Sequence, residues 1–268
     1  MASPRPAGAY RRFWQEVGER FPDLGGAAST DYYFENEKRL LTEQVAGLGR
    51  CAVLKTDLWD EAKNTRILQW ARSRGARVFG VDISEPIVRQ ARAAFSDASL
   101  RATVADARRL PFRDASFDAV YSMGTIEHFA DPQTALVEMH RVLREGGRAV
   151  VGVPNRWDPF LRPLLARALQ ALGLYAYGYE RSFSRRALRG MLQSAGFEVV
   201  AETAILFMPG WLRMADLVVH RRFPRAARLS AAAIWPFVWL DRHVTAVRRH
   251  GYLLASVGVR RSGASPRS

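Results

Sequence analysis

Carboxylates recur through the first half of this chain, each closing a short apolar run. Asp57, Asp60 and Glu61 follow CAVLK, Asp82 follows ARVFGV, and Asp106 follows RATVA. The first three lie within five residues and form an anionic group suited to a cationic ligand. The alternative for Asp60 and Glu61 is to offset the dipole of a following helix. Asp82 stands 25 residues beyond Asp57, and a carboxylate there can accept hydrogen bonds from both hydroxyls of a ribose. Further on, Ser122-Met123-Gly124-Thr125-Ile126-Glu127-His128 sets a glycine, which permits close backbone approach, beside an acid and an imidazole. His128 titrates near neutrality and is a candidate general base, with Glu127 beside it. Its structural alternative is a hydrogen bond to the following loop.

These residues must be positioned by buried strands and the helices between them. Phe117 to Tyr121 is a short apolar run after a polar turn, which predicts a buried parallel strand. Asp131-Pro132 opens a helix, since Asp caps free amides and Pro fits the first helical position. Leu136, Met139, Val142 and Leu143 give that helix one apolar stripe, and Gly146-Gly147 is predicted to end it. Ala149 to Val153 is a second buried strand, stopped by Pro154, so the segment is a βαβ unit. Cys51 to Lys55 and Ala76 to Asp82 read as earlier strands, with Ser84 as cap and Pro86 near the start of the next helix. Residues 9–48 read as two helices, with the aromatic group Asp31-Tyr32-Tyr33-Phe34 placed between them as core packing or as part of a lid. Phe197 to Val200 predicts a sixth strand and Tyr252 to Gly258 an antiparallel last one.

The segment from Asp106 through LPF, SFDAVYS, Glu127-His128 and RVLREGG resembles the second half of a class I S-adenosylmethionine-dependent methyltransferase domain. The resemblance implies an α/β fold: a Rossmann-like, seven-stranded, mostly parallel sheet with an antiparallel last strand, plus N-terminal and C-terminal helical additions. It implies a core over 49–205 and 251–260, an N-terminal helical lid over 1–48, a helical insertion over 206–250 and a disordered tail over 261–268. It also implies S-adenosylmethionine as cofactor, held by Thr56, Asp57, Asp82, Ile83, Asp106, Ala107, Ser122, Met123 and Gly124. Ile83 would pack on the adenine and Asp106 would hold its amino group. The chain departs from the family at the first strand, where an acid and Gly-x-Gly-x-Gly are usual and Lys55-Thr56-Asp57-Leu58-Trp59 stands instead. Either the loop is rebuilt and Asp57 pairs with the cofactor's ammonium, or the cofactor site is degenerate. Quinone-ring relatives carry Glu-x-x-Glu-His as metal ligands; the first of those positions is Gly124 here, so no metal is expected. The implied activity is methyl transfer to a small, apolar, lipid-, quinone- or secondary-metabolite-like acceptor, with His128 and Glu127 as catalytic candidates. The alternatives are a non-catalytic scaffold of this fold in a membrane-surface pathway and, less favoured by these motifs, a nicotinamide-dependent oxidoreductase.

Composition places the positive charge. The net charge is +14, and 37 of the 40 basic residues are arginine. From residue 203 onward eleven arginines face only Asp216 and Asp241, so +9 of the total belongs to the last quarter of the chain. There Trp211, Phe223, Trp235, Phe237 and Trp239 interleave with arginines, a pattern suited to an anionic membrane surface or to a cap over the domain. Nucleic acid is not expected as a partner. The apolar run Ala231 to Leu240 is interrupted by Pro236 and is too short to span a bilayer. A lone cysteine, Cys51, and a polar leader lead to the expectation of a cytoplasmic protein, peripheral on the membrane face.

Overall fold

The first five strands pair in parallel, and the central ones are apolar on both faces and must be covered on both. The computed structural model describes residues 7–95, 99–173, 175 and 177–261. In it β1 (Ala52–Lys55), β2 (Arg77–Asp82), β3 (Arg101–Val104), β4 (Phe117–Met123), β5 (Leu143–Pro154), β6 (Phe197–Ile205) and β7 (Leu253–Arg260) form one sheet. Its order is β3-β2-β1-β4-β5-β7-β6. β1 pairs in parallel with both β2 and β4, and β7 runs antiparallel to both β5 and β6. The chain thus reverses its direction of growth between β1 and β4, which opens a crevice at the carboxyl ends of those strands.

The helices are α1 (Ala7–Arg20), α2 (Ala28–Gln44), α3 (Trp59–Lys63), α4 (Ile67–Ser73), α5 (Glu85–Ala94), α6 (Pro132–Val142), α7 (Arg162–Ala171), α8 (Arg185–Ser194), α9 (Gly210–Arg222) and α10 (Ala227–His243). One core layer joins Leu40 and Leu41 of α2, Leu68 of α4 and Ile87 of α5 to Val53 and Val78 of the sheet. The other packs Leu136 and Met139 of α6 and Leu188 and Leu192 of α8 on Leu54, Val120 and Val151. Adjacent strand residues therefore serve opposite layers, as the period of two requires.

Several sequence expectations change in detail. The α6 cap is as expected, with Asp131 Oδ1 accepting from Gln133 N at 3.0 Å. However, Gly146-Gly147 does not end that helix. Leu143 is already extended and pairs with Phe117; the register next resumes at Ala119 with Arg148, so the glycines lie in a bulge within β5. Ser184 caps α8 as expected, through Ala187 N at 3.2 Å. Ser84 precedes α5 but makes no side-chain cap; its amide instead donates to Asp82 Oδ1 at 2.8 Å. Tyr32, Tyr33 and Phe34 fall within α2 rather than before it, β6 extends to Ile205, and Pro236 lies inside α10. The expectations for residues 1–6 and 262–268 lie outside the described residues.

Candidate active site

A cavity of about 200 Å³ lies at the crevice between β1 and β4. Thr56, Asp57, Asp82, Ile83, Asp106, Ala107, Met123 and Gly124 all line it, as do Glu127 and His128. Residues up to 72 positions apart in sequence are thus brought together because each follows the carboxyl end of a neighbouring strand. Ser122 is the exception. It is fully buried, its Oγ has no partner among the described residues, and it is not on the cavity wall. Met123 faces the cavity, so strand alternation turns Ser122 to the other side of β4, with Val120.

The glycine-less loop after β1 is built around an internal ion pair. Lys55 is fully buried, and its ammonium donates to Asp57 O at 3.0 Å, Asp57 Oδ1 at 2.9 Å and Asp60 Oδ2 at 3.2 Å. Burial alone would lower the Lys55 pKa, but Asp57 and Asp60 outweigh it and hold the group charged. Asp57 Oδ2 accepts from Thr125 Oγ1 at 2.8 Å, tying the loop to the end of β4. Asp57 is therefore on the cavity wall as expected, but it is not an unpaired charge; its first counter-ion is Lys55. Asp60 and Glu61 are not surface caps either. Asp60 also accepts from Asn64 Nδ2 at 2.8 Å, and Glu61 accepts from Leu68 N at 2.9 Å. Burial pushes Glu61 up to about 7.

The glycine that this loop lacks appears on the adjacent strand. A Cβ at Gly80 would lie 2.3 Å from Leu58 Cδ2, so only glycine there lets Leu58 tuck against β2. Leu58 is fully buried, and its amide donates to Asp82 Oδ2 at 2.9 Å. Asp82 thereby holds the loop after β1 and the start of α5 together, one amide on each oxygen. Each oxygen retains a lone pair for a ligand hydroxyl. Burial pushes Asp82 up to about 7, against the two amides that favour its charged form. Asp106 is held by Arg108, whose Nη2 lies 2.6 Å from Oδ2. Burial would raise the Asp106 pKa, but the Arg108 hydrogen bonds prevail and hold it below its ordinary value. Arg108 in turn stacks over Phe129 and over Tyr10 of α1.

The far end of the cavity carries residues that the sequence did not point to. Arg162 of α7 is buried, and its Nη2 lies 2.6 Å from Glu180 Oε1 and 3.1 Å from Tyr175 Oη. Among the described residues, the buried Arg162 Nη1 and Glu127 Oε2 have no hydrogen-bond partner. Trp14 of α1 packs edge-on against His128 at 4.9 Å between ring centroids. Arg213 and Leu217 of α9 complete this wall. The only sequence signal for these positions was the aromatic density of the stretch before Glu180. Glu127, His128 and Glu180 each offer a ligand atom within 4.8 Å of the others. That is a third donor which Gly124 had seemed to remove, but Arg162 already supplies the cation that Glu180 needs.

His128 has a defined tautomer. Its Nδ1 lies 2.7 Å from the carbonyl oxygen of Tyr179, and a carbonyl can only accept, so Nδ1 carries the proton. Burial lowers the His128 pKa, which keeps the ring neutral near pH 7. The neutral ring leaves Nε2 as a lone-pair acceptor, 3.9 Å from Glu127 Oε1. Burial first, and Glu180 second, raise Glu127 well above the ordinary carboxylate range, so it does not compete as a charged base. His128 is anchored through Nδ1 to Tyr179 of the insertion rather than to the loop that follows it, which leaves Nε2 as its remaining polar atom.

This wall suits S-adenosylmethionine. Asp82 presents free lone pairs for a diol, Ile83, Ala107 and Met123 offer apolar surface, and the buried Thr56 Oγ1 has no partner among the described residues. At Gly124 φ is +75° and a Cβ would meet only Glu127 Oε1, at 3.6 Å, leaving a cradle open to a ligand. Residues 42–151 match the family model described as a methyltransferase domain. The demethylmenaquinone methyltransferase of Thermus thermophilus is 35% identical over 146 residues, 48% of this chain and 66% of that protein. A probable S-adenosylmethionine-dependent methyltransferase of Mycolicibacterium smegmatis is 31% identical over 192 residues, 68% of this chain and 65% of that one. The chain spans between 26% and 66% of the length of the curated relatives it matches first. A solved S-adenosylmethionine-dependent methyltransferase of Thermotoga maritima shares the fold, with a TM-score of 0.59 at 19% identity over 95% of both chains. The strand order, the acids at the strand ends and these matches agree: the chain carries a class I methyltransferase domain over residues 42–151, the kind of domain whose cofactor is S-adenosylmethionine.

Proposed function

We propose that the chain methylates a small acceptor bearing an acidic hydroxyl or an enol-like carbon, of the phenol or hydroquinone class. The observation that carries this reading is the free Nε2 of His128 facing the cavity from a ring anchored through Nδ1. Asp82 would hold the ribose, Ile83 and Ala107 the adenine, and Asp106 its amino edge; Thr56 and Asp57 lie by the remaining polar part. When bound, the cofactor supplies an electrophilic methyl on a sulfonium, so the protein chiefly needs to align the acceptor, exclude water and take a proton. His128 Nε2 takes the acceptor's proton as the acceptor's electron pair moves toward the methyl. The imidazolium that forms is stabilised by the Glu180 carboxylate, which acts on His128 electrostatically. Trp14, Tyr175, Tyr177 and Tyr252 give the acceptor an aromatic wall. Two named relatives fit the class: the O-methyltransferase cnsE of Penicillium expansum, 36% identical over 137 residues, and the demethylmenaquinone methyltransferase.

The test is His128→Ala, assayed against a panel of phenols and hydroquinones. We expect kcat to fall by about 10²–10⁴-fold while S-adenosylhomocysteine binding changes little. In the native enzyme the rate should rise with pH through a midpoint below the ordinary histidine value and then stay flat, because burial lowers the His128 pKa. A variant whose kcat stays within about threefold of native would remove His128 from the chemistry.

A further inference from the structure

The large apolar side chains left exposed are not scattered. Of the fourteen among the described residues, only Val104 and Val200 lie outside 157–172 and 211–239. On α9, Trp211, Met214 and Val218 recur at spacings of three and four, opposite the buried Leu212 and Leu217. On α10, Leu229, Trp235 and Trp239 face outward, opposite the buried Ile234. On α7 and the residues that flank it, Leu161, Leu164, Leu165 and Leu172 do the same. The segments that carry these faces adjoin. A Cβ at Gly210, the first residue of α9, would lie 3.3 Å from Arg162 of α7, and Phe160 packs on Phe237 of α10 at 5.7 Å between centroids.

The charges of this region are sorted with the same regularity. Its two acids turn inward: Asp216 accepts from Ser29 N at 2.8 Å and Ser230 Oγ at 2.7 Å, and Asp241 pairs with Arg39 at 2.6 Å. Both are buried. Arg221, Arg222, Arg225 and Arg228, at the turn between α9 and α10, are exposed and make no ion pair among the described residues. Outward-facing apolar stripes bordered by unpaired arginines, with no exposed acid from 206 to 250, match a surface that is anionic above and apolar beneath. A second copy of this chain would bring the same arginines face to face. A nucleic acid would leave the Leu, Met and Val stripes uncovered.

We propose that α7, α9 and α10 form a docking face for an anionic lipid bilayer, lying in its interface without crossing it. No helix among the described residues is long and apolar enough to cross a membrane. Met214 belongs to both surfaces: it is half exposed on α9 and also lines the cavity. The cavity wall therefore reaches the docked face, and, if the proposed methyl transfer holds, an apolar acceptor can enter from the bilayer.

The test is co-sedimentation of the full chain with vesicles of phosphatidylcholine alone and of phosphatidylcholine with phosphatidylglycerol. We expect binding to the anionic vesicles only, weakened by added salt. Each basic residue near an anionic surface is worth about 1 kcal/mol, so Arg221→Glu, Arg222→Glu and Arg225→Glu together should weaken partition by at least about 100-fold. Trp235→Ser and Trp239→Ser should weaken it without abolishing the salt dependence. These side chains are exposed, so the variants should keep the native melting temperature and its response to S-adenosylhomocysteine. Equal binding to both vesicle types, or no binding to either, overturns the proposal. So does tight binding of duplex DNA, or a stable dimer that Trp235→Ser dissociates, when vesicles stay unbound. Docking is measured without turnover, so its failure and the failure of the methyl-transfer reading are distinguishable.

Discussion

Lys55→Met is expected to destabilise the protein by about 3–5 kcal/mol, the loss that follows when one partner of a buried ion pair is removed. All three ammonium protons are used within the loop. Methionine fills much of the same volume but leaves Asp57 and Asp60 without their cation, beside the buried Glu61 and Glu37. At roughly 2–4 °C per kcal/mol for a domain of this size, the melting temperature should fall by about 10 °C. The pH dependence has a definite sign. The folded pKa of Lys55 is raised above its ordinary value of 10.5. Its stabilisation is therefore present below that value and is lost only as pH rises beyond it. In the variant the orphaned acids are relieved by protonation, so the gap to native should narrow as pH falls from 8 toward 5. Urea denaturation at several pH values measures both effects. A loss below about 1 kcal/mol would mean that the loop does not depend on its internal cation.

Asp82→Ala should abolish most of the stabilisation that S-adenosylhomocysteine gives the native chain. A ligand at 100 times its Kd stabilises by about 2.7 kcal/mol, which is roughly 5–10 °C here. Asp82 is the carboxylate with lone pairs left for a diol, and it also pins Leu58 and Ser84, so its loss removes a ligand contact and loosens both flanking loops. Its folded pKa is pushed from 3.8 up to about 7. The folded state then keeps a proton that the unfolded state has lost, so this residue's contribution to the ligand-free protein falls as pH rises from about 4 to 7. A ligand bound to the carboxylate favours the ionised form, so the native thermal shift should be larger at pH 8 than at pH 6. Asp82→Asn should lose that pH dependence. An undiminished shift in Asp82→Ala would place the ribose elsewhere.

The sheet was legible because its strands are short apolar runs bounded by turn residues, and because the acids that close them lie at the carboxyl ends. Asp82, Asp106, Glu127 and His128 could be read for that reason. Lys55 was visible, but its meaning was not, because a buried lysine can be understood only together with the groups that neutralise it. The three acids after it are a real local signal, but Asp57 and Asp60 first serve an internal ammonium and Glu61 a backbone amide, which spacing alone does not show. The compensation at Gly80 was hidden because Leu58 and Gly80 meet only when β1 and β2 pair. Glu37 and Tyr121 are 84 residues apart and bond at 2.7 Å, a contact set by packing of α2 across the sheet. Arg162 and Glu180 lie in an insertion with no motif, and nothing in local spacing announces that they close the cavity. Ser122 was misplaced because a motif read as a run of letters ignores that neighbouring strand residues point to opposite faces.

S-adenosylmethionine is assigned to this cavity, with its internal cation and no glycine loop. Calorimetric titration of the native chain with S-adenosylmethionine tests this assignment most directly. We expect one saturable site per chain, displaced by S-adenosylhomocysteine and weakened by Asp82→Ala. No heat and no competition at millimolar ligand, with the protein folded and monodisperse, would contradict it.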